Sequence, residues 1–389
     1  MTTVATVNTD VKNKKYFCYE IYKNLAVWSQ NGKLGYNPCS FFNGYIKTSS
    51  DFKISEVWNS PEHNQLKKCV ENDTPISGCQ ACYDSEADGI KSRRQGAKES
   101  YEEFHNDTNL DLSSPQGLDY SVGNLCNLKC VICGPKNSSQ WVSDYQQLFP
   151  EKSTELFRYK KYQQLKIDDH DLLQNLKSVH FHGGGEPLLS DNHVNLLLKI
   201  QEVKGLNDVR VFYNTNGTQI VSDKILQLWE KCKLIELYFS IDDLGPRFDY
   251  QRTNARWADV ESNLTWFYKH MPHNHMFNIN CTWGYLNFFY LDEMYDWWRE
   301  NFSSNRYKDP TNLIFQKAIG TFSLDHLSPS SHQVIGNKFQ NYTQLQSLLN
   351  SIEVNDRSHA DFWKNISNLD RIRKTDFRTL NLDWSKLIS

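Results

Sequence analysis

The segment Tyr120-Ser-Val-Gly-Asn-Leu-Cys126-Asn-Leu-Lys-Cys130-Val-Ile-Cys133-Gly-Pro135 decides the fold. It places three cysteines on one short loop, directly after the apolar strand candidate 117–121. Three thiolates at this spacing can converge on one face of an iron–sulfur cluster and leave one iron without a protein ligand. A zinc site, which normally takes a fourth protein ligand, and unrelated buried thiols are the alternatives.

Strand-like apolar runs alternate with amphipathic helical segments between about residues 117 and 316. This alternation predicts an α/β fold with a parallel sheet and with chemistry at the carboxyl ends of its strands. The predicted strands are 117–121, 178–182, 209–214, 234–241, 278–283 and 313–316, and the clearest predicted helices between them are 196–203, 222–231 and 257–270.

A glycine-rich segment, His182-Gly-Gly-Gly-Glu186-Pro187-Leu188, follows the second predicted strand. Glycines such as Gly184 and Gly185 let the backbone approach a ligand closely, and Glu186 can accept hydrogen bonds from an ammonium group. An ordinary strand-to-helix turn is the alternative. His182 is either a structural histidine or one that titrates or contacts a substrate.

Polar residues end the next two predicted strands. Asn216, Ser240 and Asp242 are therefore candidates for contacts to a ribose or a carboxylate. For Asn216, a simple turn cap is the alternative.

Together these motifs resemble the radical S-adenosylmethionine (radical SAM) superfamily. The cysteine loop has its Cys-x3-Cys-x2-Cys pattern, with Ile132 in place of the usual aromatic residue, and the glycine segment resembles its Gly-Gly-Glu-Pro motif. The resemblance implies a partial (β/α)6 TIM-like barrel over residues 112–320. It also implies a 4Fe–4S cluster held by Cys126, Cys130 and Cys133, and S-adenosylmethionine in contact with Gly184, Gly185, Glu186, Pro187, Ser240 and Arg252. Asn216 and Asp242 join the cofactor candidates through their strand-end positions, and Arg252 can equally be a surface salt-bridge residue.

A second set of cysteines, Cys18, Cys39, Cys79 and Cys82, lies before the barrel region, where the pattern also predicts a strand at 45–48 and a helix at 54–70. With the segment Ile54-Ser-Glu-Val-Trp-Asn-Ser60 between them, they resemble the SPASM or twitch modules that bind an auxiliary 4Fe–4S cluster. The resemblance implies such a module over residues 15–111, although in most relatives it follows the barrel. Four thiolates can equally hold zinc.

The remaining regions carry weaker signals. Residues 1–14 are predicted to be a flexible N-terminus and residues 321–389 a helical C-terminal region, with helices at 340–352 and 358–372. Without a secretory signal or a membrane-spanning run, we expect a cytoplasmic protein with reduced cysteines. Cys281 lies in a predicted strand that can turn it toward the barrel interior, and the resemblance makes it a candidate hydrogen donor; a buried core thiol is the alternative.

The resemblance implies an enzyme that cleaves S-adenosylmethionine reductively and abstracts a substrate hydrogen, with an electron donor such as flavodoxin or ferredoxin. We expect a peptide or protein substrate. The alternatives are a small molecule such as a sugar or nucleoside, or a glycyl-radical enzyme to be activated. A non-enzymatic alternative is an iron–sulfur or zinc protein that binds RNA through Lys91, Arg93 and Arg94. The near balance of 43 basic and 46 acidic residues gives no general support for a nucleic-acid partner.

Overall fold

The computed structural model describes residues 9–30, 33–44, 46–49, 54–87, 91–104, 109–110, 112–121, 123–152, 167, 169–182, 184–271, 274–302 and 312–389. The chain divides into two compact units. The first comprises Met1–Gly123, Lys161–Tyr213 and Gln227–Leu234, and the second comprises Asn124–Lys160, Asn214–Leu226 and Ile235–Ser389.

The β-strands of the described chain are, in order, β1 Asn24–Gln30, β2 Lys33–Asn37, β3 Lys47–Ser49, β4 Gly117–Ser121, β5 Ser178–His182, β6 Arg210–Thr215, β7 Leu234–Ser240, β8 His275–Trp283, β9 Asn312–Lys317, β10 His326–Leu327 and β11 Glu353–Val354.

The α-helices are α1 Tyr19–Lys23, α2 Ile54–Trp58, α3 Pro61–Glu71, α4 Gln80–Ala87, α5 Arg93–Glu99, α6 Val142–Leu148, α7 His170–Asn175, α8 Asn192–Val203, α9 Asp223–Trp229, α10 Gly245–Gln251, α11 Trp257–His270, α12 Leu291–Phe302, α13 Pro329–Lys338, α14 Thr343–Asn350, α15 Ala360–Arg373, α16 Phe377–Leu380 and α17 Leu382–Leu387. Within the described residues, no helix is both long and apolar enough to span a membrane.

The sheet of the first unit has the strand order β3-β2-β1-β4-β5-β6. Strands β1, β4, β5 and β6 are parallel, whereas β2 and β3 are antiparallel additions at one side. Phe181 of β5 stacks on Tyr213 of β6 and contacts His193 of α8. Because side chains alternate along a strand, His180 and His182 lie on the face of the sheet opposite to this helix.

In the second unit, β7, β8 and β9 are parallel neighbours. Phe277 of β8 packs against Phe239 of β7 and against Tyr268 and Phe302 of the helix layer. By the same alternation, Ser240 points to the opposite face of this sheet.

The superfamily's α/β fold with a mainly parallel sheet is the architecture that the sequence predicted. The predicted strands 117–121 and 178–182 coincide with β4 and β5, and the predicted helix 257–270 coincides with α11. Closure into a partial barrel, and the boundaries near residues 111 and 320, stay predictions.

Two local expectations differ from the structure. Sequence patterning missed β1 and β2, and the predicted helix 54–70 is divided into α2 and α3. The break has a local cause. The Ser60 side chain accepts a hydrogen bond from His63 N and so caps α3, and Pro61 occupies the first turn, where a backbone N–H is not needed for the helix. Of the predicted strand 45–48, Tyr45 lies outside the described residues.

Candidate functional site

The three-cysteine loop belongs to the second unit and is fixed by its own backbone. Cys133 N donates to Cys130 O at 3.0 Å, which closes a turn between these two ligand candidates. The same carbonyl accepts a hydrogen bond from Trp141 Nε1 at 2.7 Å. Cys130 is buried, while Cys126 and Cys133 are half-buried. The loop therefore has one anchored and two more accessible sulfur positions.

The three thiols are close enough to affect one another's protonation. A hydrogen bond from Cys133, opposed by burial and aided by the charge of Arg252, lowers the pKa of Cys130 to about 7. The same hydrogen bond, with burial and the charges of Cys130 and Cys126, raises the pKa of Cys133 well above its usual value. A thiolate at Cys130 thus accepts a hydrogen bond from the Cys133 thiol, so these two sulfurs are neighbours.

Arg252 faces the sulfur of Cys130 from the end of α10. Its Nη1 lies 4.0 Å from Cys130 Sγ, and its guanidinium pairs with Asp242 through Nε at 2.9 Å and Nη2 at 2.6 Å. The other oxygen of Asp242 accepts a hydrogen bond from Thr282 N at 2.9 Å. Both carboxylate oxygens are therefore engaged, and Asp242 orients Arg252 toward the cysteine loop.

Asn216 joins the segment after β6 to the cysteine loop. Its amide nitrogen donates to Asn127 Oδ1 at 3.0 Å and lies 3.8 Å from Cys126 Sγ. Its oxygen accepts from the amide and the hydroxyl of Thr218, at 3.0 and 2.7 Å. Asn216 is therefore more than a turn cap, because it orders the loop beside Cys126.

Ser240 lies at the carboxyl end of β7, half-buried and in register with Asn280 of β8. Its hydroxyl has no hydrogen-bond partner within the described chain, so it is available to a ligand on the face opposite to the helices. This position is consistent with the predicted cofactor contact, which stays a prediction.

Cys281 lies on the same face of β8 as Phe277, which packs against the helix layer. Its thiol is fully buried, donates to Asp242 O at 3.6 Å and lies 3.7 Å from Asn287 Nδ2. Burial, with the negative charges of Asp242 and Asp243, raises the pKa of Cys281 well above its usual value. The thiol is thus protonated and packed in the core; the role of hydrogen donor stays a prediction.

A buried ion-pair network behind the loop was missed by sequence reasoning. Asp144 of α6 accepts from Arg373 Nε of α15 at 2.7 Å and pairs with Lys129 Nζ at 3.0 Å. Arg373 also donates to Thr253 Oγ1 at 3.1 Å and lies over the ring of Trp141. Burial opposes ionisation of Asp144, but its hydrogen bonds from Arg373 and Lys129 hold its pKa below the usual value. The network connects the C-terminal region to the cysteine loop.

The glycine-rich motif follows β5 in the first unit. Gly184 and Gly185 have φ angles of +102° and +73°, a region that side chains rarely adopt. Glu186 is buried, and its Oε1 accepts a hydrogen bond from Leu188 N at 3.1 Å, while Pro187 begins a 3-10 turn. The motif thus forms a tight, fixed turn at the carboxyl end of a parallel strand, which suits a ligand-binding loop.

The N-terminal cysteines also lie close together in the first unit. Burial, with the charges of Glu20, Cys39 and Cys79, raises the pKa of Cys18 well above its usual value. Burial and the charge of Cys82 raise the pKa of Cys79 to about 11. Because these thiols influence one another, the structure brings three of the four predicted ligands into one neighbourhood and places Cys82 next to Cys79.

One close backbone contact creates this neighbourhood. Asn43 N donates to Gly78 O at 2.8 Å, which joins the turn after Cys39 to the turn before Cys79. A Cβ at Gly78 would lie 2.3 Å from the ring of Phe42, so only glycine fits this contact.

The three basic residues of the RNA-binding alternative are all paired with carboxylates. Lys91 pairs with Glu99, Arg94 with Glu86, and Arg93 with Glu20 and Asp119. Arg93 is moreover largely buried. Two of the three basic groups are therefore engaged with partly or fully buried carboxylates, whereas Lys91 stays exposed.

Comparisons with known proteins give a consistent family. Residues 120–286 match the family model of the radical SAM superfamily. GTP 3′,8-cyclase of Petrotoga mobilis is 24% identical over 152 residues, which are 38% of this chain and 42% of that protein. The chain thus spans less than half of the length of this curated relative.

Two solved structures are also similar. Native anSMEcpe with bound AdoMet and Cp18Cys peptide is 18% identical, with a TM-score of 0.38 over 61% of this chain and 63% of that one. SuiB of Streptococcus suis is 15% identical, with a TM-score of 0.36 over 86% of this chain and 71% of that one.

The family match spans the cysteine loop, the glycine motif and the polar strand ends, the regions on which the sequence prediction depended. Residues 120–286, less than half of the chain, are thus similar to the radical SAM superfamily of enzymes.

Proposed function

We propose that Cys126, Cys130 and Cys133 hold a 4Fe–4S cluster whose open iron binds S-adenosylmethionine. The hydrogen bond between Cys130 and Cys133, the effect of the Cys126 charge on Cys133 and the position of Arg252 beside Cys130 support this proposal. When bound, the reduced cluster supplies the electron that cleaves the cofactor to methionine and a 5′-deoxyadenosyl radical, which abstracts a substrate hydrogen.

The surrounding residues have distinct roles in this proposal. Arg252 offsets thiolate charge near Cys130, and Asp242 positions Arg252 instead of contacting the cofactor itself. Asn216 keeps the loop ordered beside Cys126, and the Ser240 hydroxyl is a direct cofactor contact.

The glycine motif is proposed to bind the methionine part of the cofactor. The positive φ angles of Gly184 and Gly185 favour glycine, and without side chains at these positions a ligand can approach the backbone closely. Glu186 and Pro187 then fix the turn, with the carboxylate as the acceptor for the methionine ammonium group.

We further propose that Cys18, Cys39, Cys79 and Cys82 hold an auxiliary 4Fe–4S cluster. Four thiols within a small, largely buried region fit such a group, and the raised pKa values of Cys18, Cys39 and Cys79 indicate that burial disfavours their thiolates when no metal is bound. The same donor set fits tetrahedral zinc, so metal analysis must decide between the two.

The proposed substrate is a peptide or protein side chain, modified in the cytoplasm with flavodoxin or ferredoxin as electron donor. The resemblance of the 15–111 region to SPASM and twitch modules supports this class.

The central experiment is anaerobic reconstitution with iron and sulfide, followed by an assay for 5′-deoxyadenosine with reductant and S-adenosylmethionine. Replacing Cys126, Cys130 and Cys133 with Ala should abolish 5′-deoxyadenosine and remove about four irons per chain. Cys69→Ala is the matched control, because Cys69 is a half-buried thiol that lies on α3 and has Gln65 as a neighbour. Retained cleavage in the triple variant would refute the site.

The auxiliary site needs its own variant. The double variant Cys79→Ser, Cys82→Ser should hold about four fewer irons per chain than wild type. It should still form 5′-deoxyadenosine in the absence of substrate. Loss of one zinc per chain with iron unchanged would assign the site to zinc.

The substrate class is tested with fractions of a cell extract. With extract from cells grown in deuterated medium, we expect a fraction of large solutes to transfer deuterium to 5′-deoxyadenosine, and protease treatment to abolish this transfer. Transfer from a protease-resistant fraction of small solutes would point to a sugar or nucleoside instead.

A further inference from the structure

We propose that Asp119, His180 and His182 bind a divalent transition-metal ion with a ligand set that includes none of the cysteines. One ligand atom from each residue lies within 4.8 Å of the other two. His180 Nδ1 and His182 Nε2 each lie 3.7 Å from an oxygen of Asp119. Such spacings leave room for an ion at the roughly 2 Å ligand distances of first-row metals.

The parallel sheet of the first unit creates this cluster. Asp119 of β4 pairs in register with His180 of β5, and His182 follows two positions later on the same strand. Residues two apart on a strand share a face, and cross-strand neighbours on that face are within side-chain reach. All three side chains therefore lie together on the face opposite to Phe181 and its helix contacts.

The His182 imidazole is not satisfied by the surrounding protein. His182 is only 7% exposed, yet its Nε2, the atom that faces Asp119, has no hydrogen-bond partner within the described residues. An unpaired buried polar atom is costly, so this arrangement indicates a missing ligand.

Outer contacts orient the carboxylate as in metal sites. Arg93 Nη2 donates to Asp119 at 2.9 and 3.2 Å, and Ser40 N donates to its Oδ2 at 3.0 Å. Arg93 also pairs with Glu20 at 3.1 Å, which offsets part of its charge near an incoming cation. Hydrogen bonds of this kind fix the orientation of ligating carboxylates.

The donor set indicates the class of metal. Two imidazole nitrogens and one carboxylate oxygen suit Zn²⁺, Fe²⁺ or Mn²⁺ and leave coordination positions for water or a substrate group. His180 is partly exposed, so the open positions are accessible from the sheet face. We therefore expect the bound ion to exchange with free ions in solution.

The test uses Mn²⁺ as the probe. Iron–sulfur-loaded enzyme, oxidised so that its clusters are silent in electron paramagnetic resonance, is titrated with Mn²⁺ while the signal of the free ion is recorded. We expect about one ion bound per chain, displaced by Zn²⁺, and at least about tenfold weaker binding in Asp119→Asn and His180→Gln.

His170→Gln is the matched control, because His170 is an exposed histidine 4.0 Å from Asp171 in the same unit. Iron and sulfide contents verify that each variant is intact; if Asp119→Asn fails to fold, His180→Gln decides. Wild-type enzyme that leaves the free Mn²⁺ signal unchanged, or equal binding by wild type and His180→Gln, would overturn the proposal.

Discussion

The buried network of Asp144 gives a sharp prediction about how the cysteine loop is held. Asp144→Asn keeps the shape of the side chain but leaves Arg373, 3% exposed, without its carboxylate partner. Removing one partner of a buried ion pair costs about 3–5 kcal/mol. The second unit has about 200 residues, and in a unit of that size each kcal/mol shifts the melting temperature by about 2–4 °C. The variant should therefore melt about 6–20 °C below wild type.

The assay is thermal unfolding followed by near-ultraviolet circular dichroism, with iron loading measured in parallel. Asp259→Asn is the matched control, because Asp259 pairs with Arg256 in the same unit but both side chains are exposed, at 57% and 78%. A pair of this kind contributes only about 0–1 kcal/mol. Equal shifts in the two variants would refute the assigned role of the network.

Three further predictions concern single side chains. Burial lowers the pKa of His193 to about 4, so between pH 6.5 and 4 the unfolded chain binds a proton that the folded chain does not. From pH 7 to 5 this difference should lower the free energy of unfolding by about 2 kcal/mol. The His193→Gln variant, measured by urea unfolding, should lack this part of the decline. Ser240→Ala should raise the KM for S-adenosylmethionine about fivefold at unchanged iron content, as expected for one lost hydrogen bond, whereas the exposed Ser262→Ala should have no effect on KM. Cys281→Ser should still form 5′-deoxyadenosine in the absence of substrate. Loss of substrate product at unchanged stability would support the hydrogen-donor role. A lowered melting temperature alone would support a core thiol.

Local patterns predicted the parts of the site that are local in sequence. The cysteine loop spans eight residues from Cys126 to Cys133, and the glycine motif is contiguous, so spacing alone located both. Strands β4 and β5 were predicted correctly because their alternation and their boundaries are clear.

Contacts between distant residues were not predictable from these patterns. Asp144 and Arg373 are separated by 229 positions, and nothing in the periodicity of α15 marks one arginine as buried. Similarly, the strand end marked Asp242 as a candidate cofactor contact, which stays a prediction, but it did not show that Asp242 pairs with Arg252 and Thr282.

The basic run before β4 shows how tertiary contacts change the interpretation of charge. A basic run such as Lys91, Arg93 and Arg94 usually lies on a solvent-exposed helix face. In the structure Arg93 turns inward because β4 presents Asp119 and α1 presents Glu20, two buried carboxylates that need a cation. Sequence alone could not show which of the three faces the sheet.

The C-terminal helices are part of the scaffold of the cysteine loop. Asp370 of α15 accepts from Tyr250 Oη at 2.9 Å, and Arg373, one turn later, donates to Thr253, so the helix holds both sides of Arg252. Thr253 O in turn accepts from Lys129 N at 3.0 Å, inside the cysteine loop. Because α15 fixes the segment that presents Arg252 to Cys130, truncating the C-terminal region would disturb the proposed cluster site, although no residue beyond 320 is a proposed ligand.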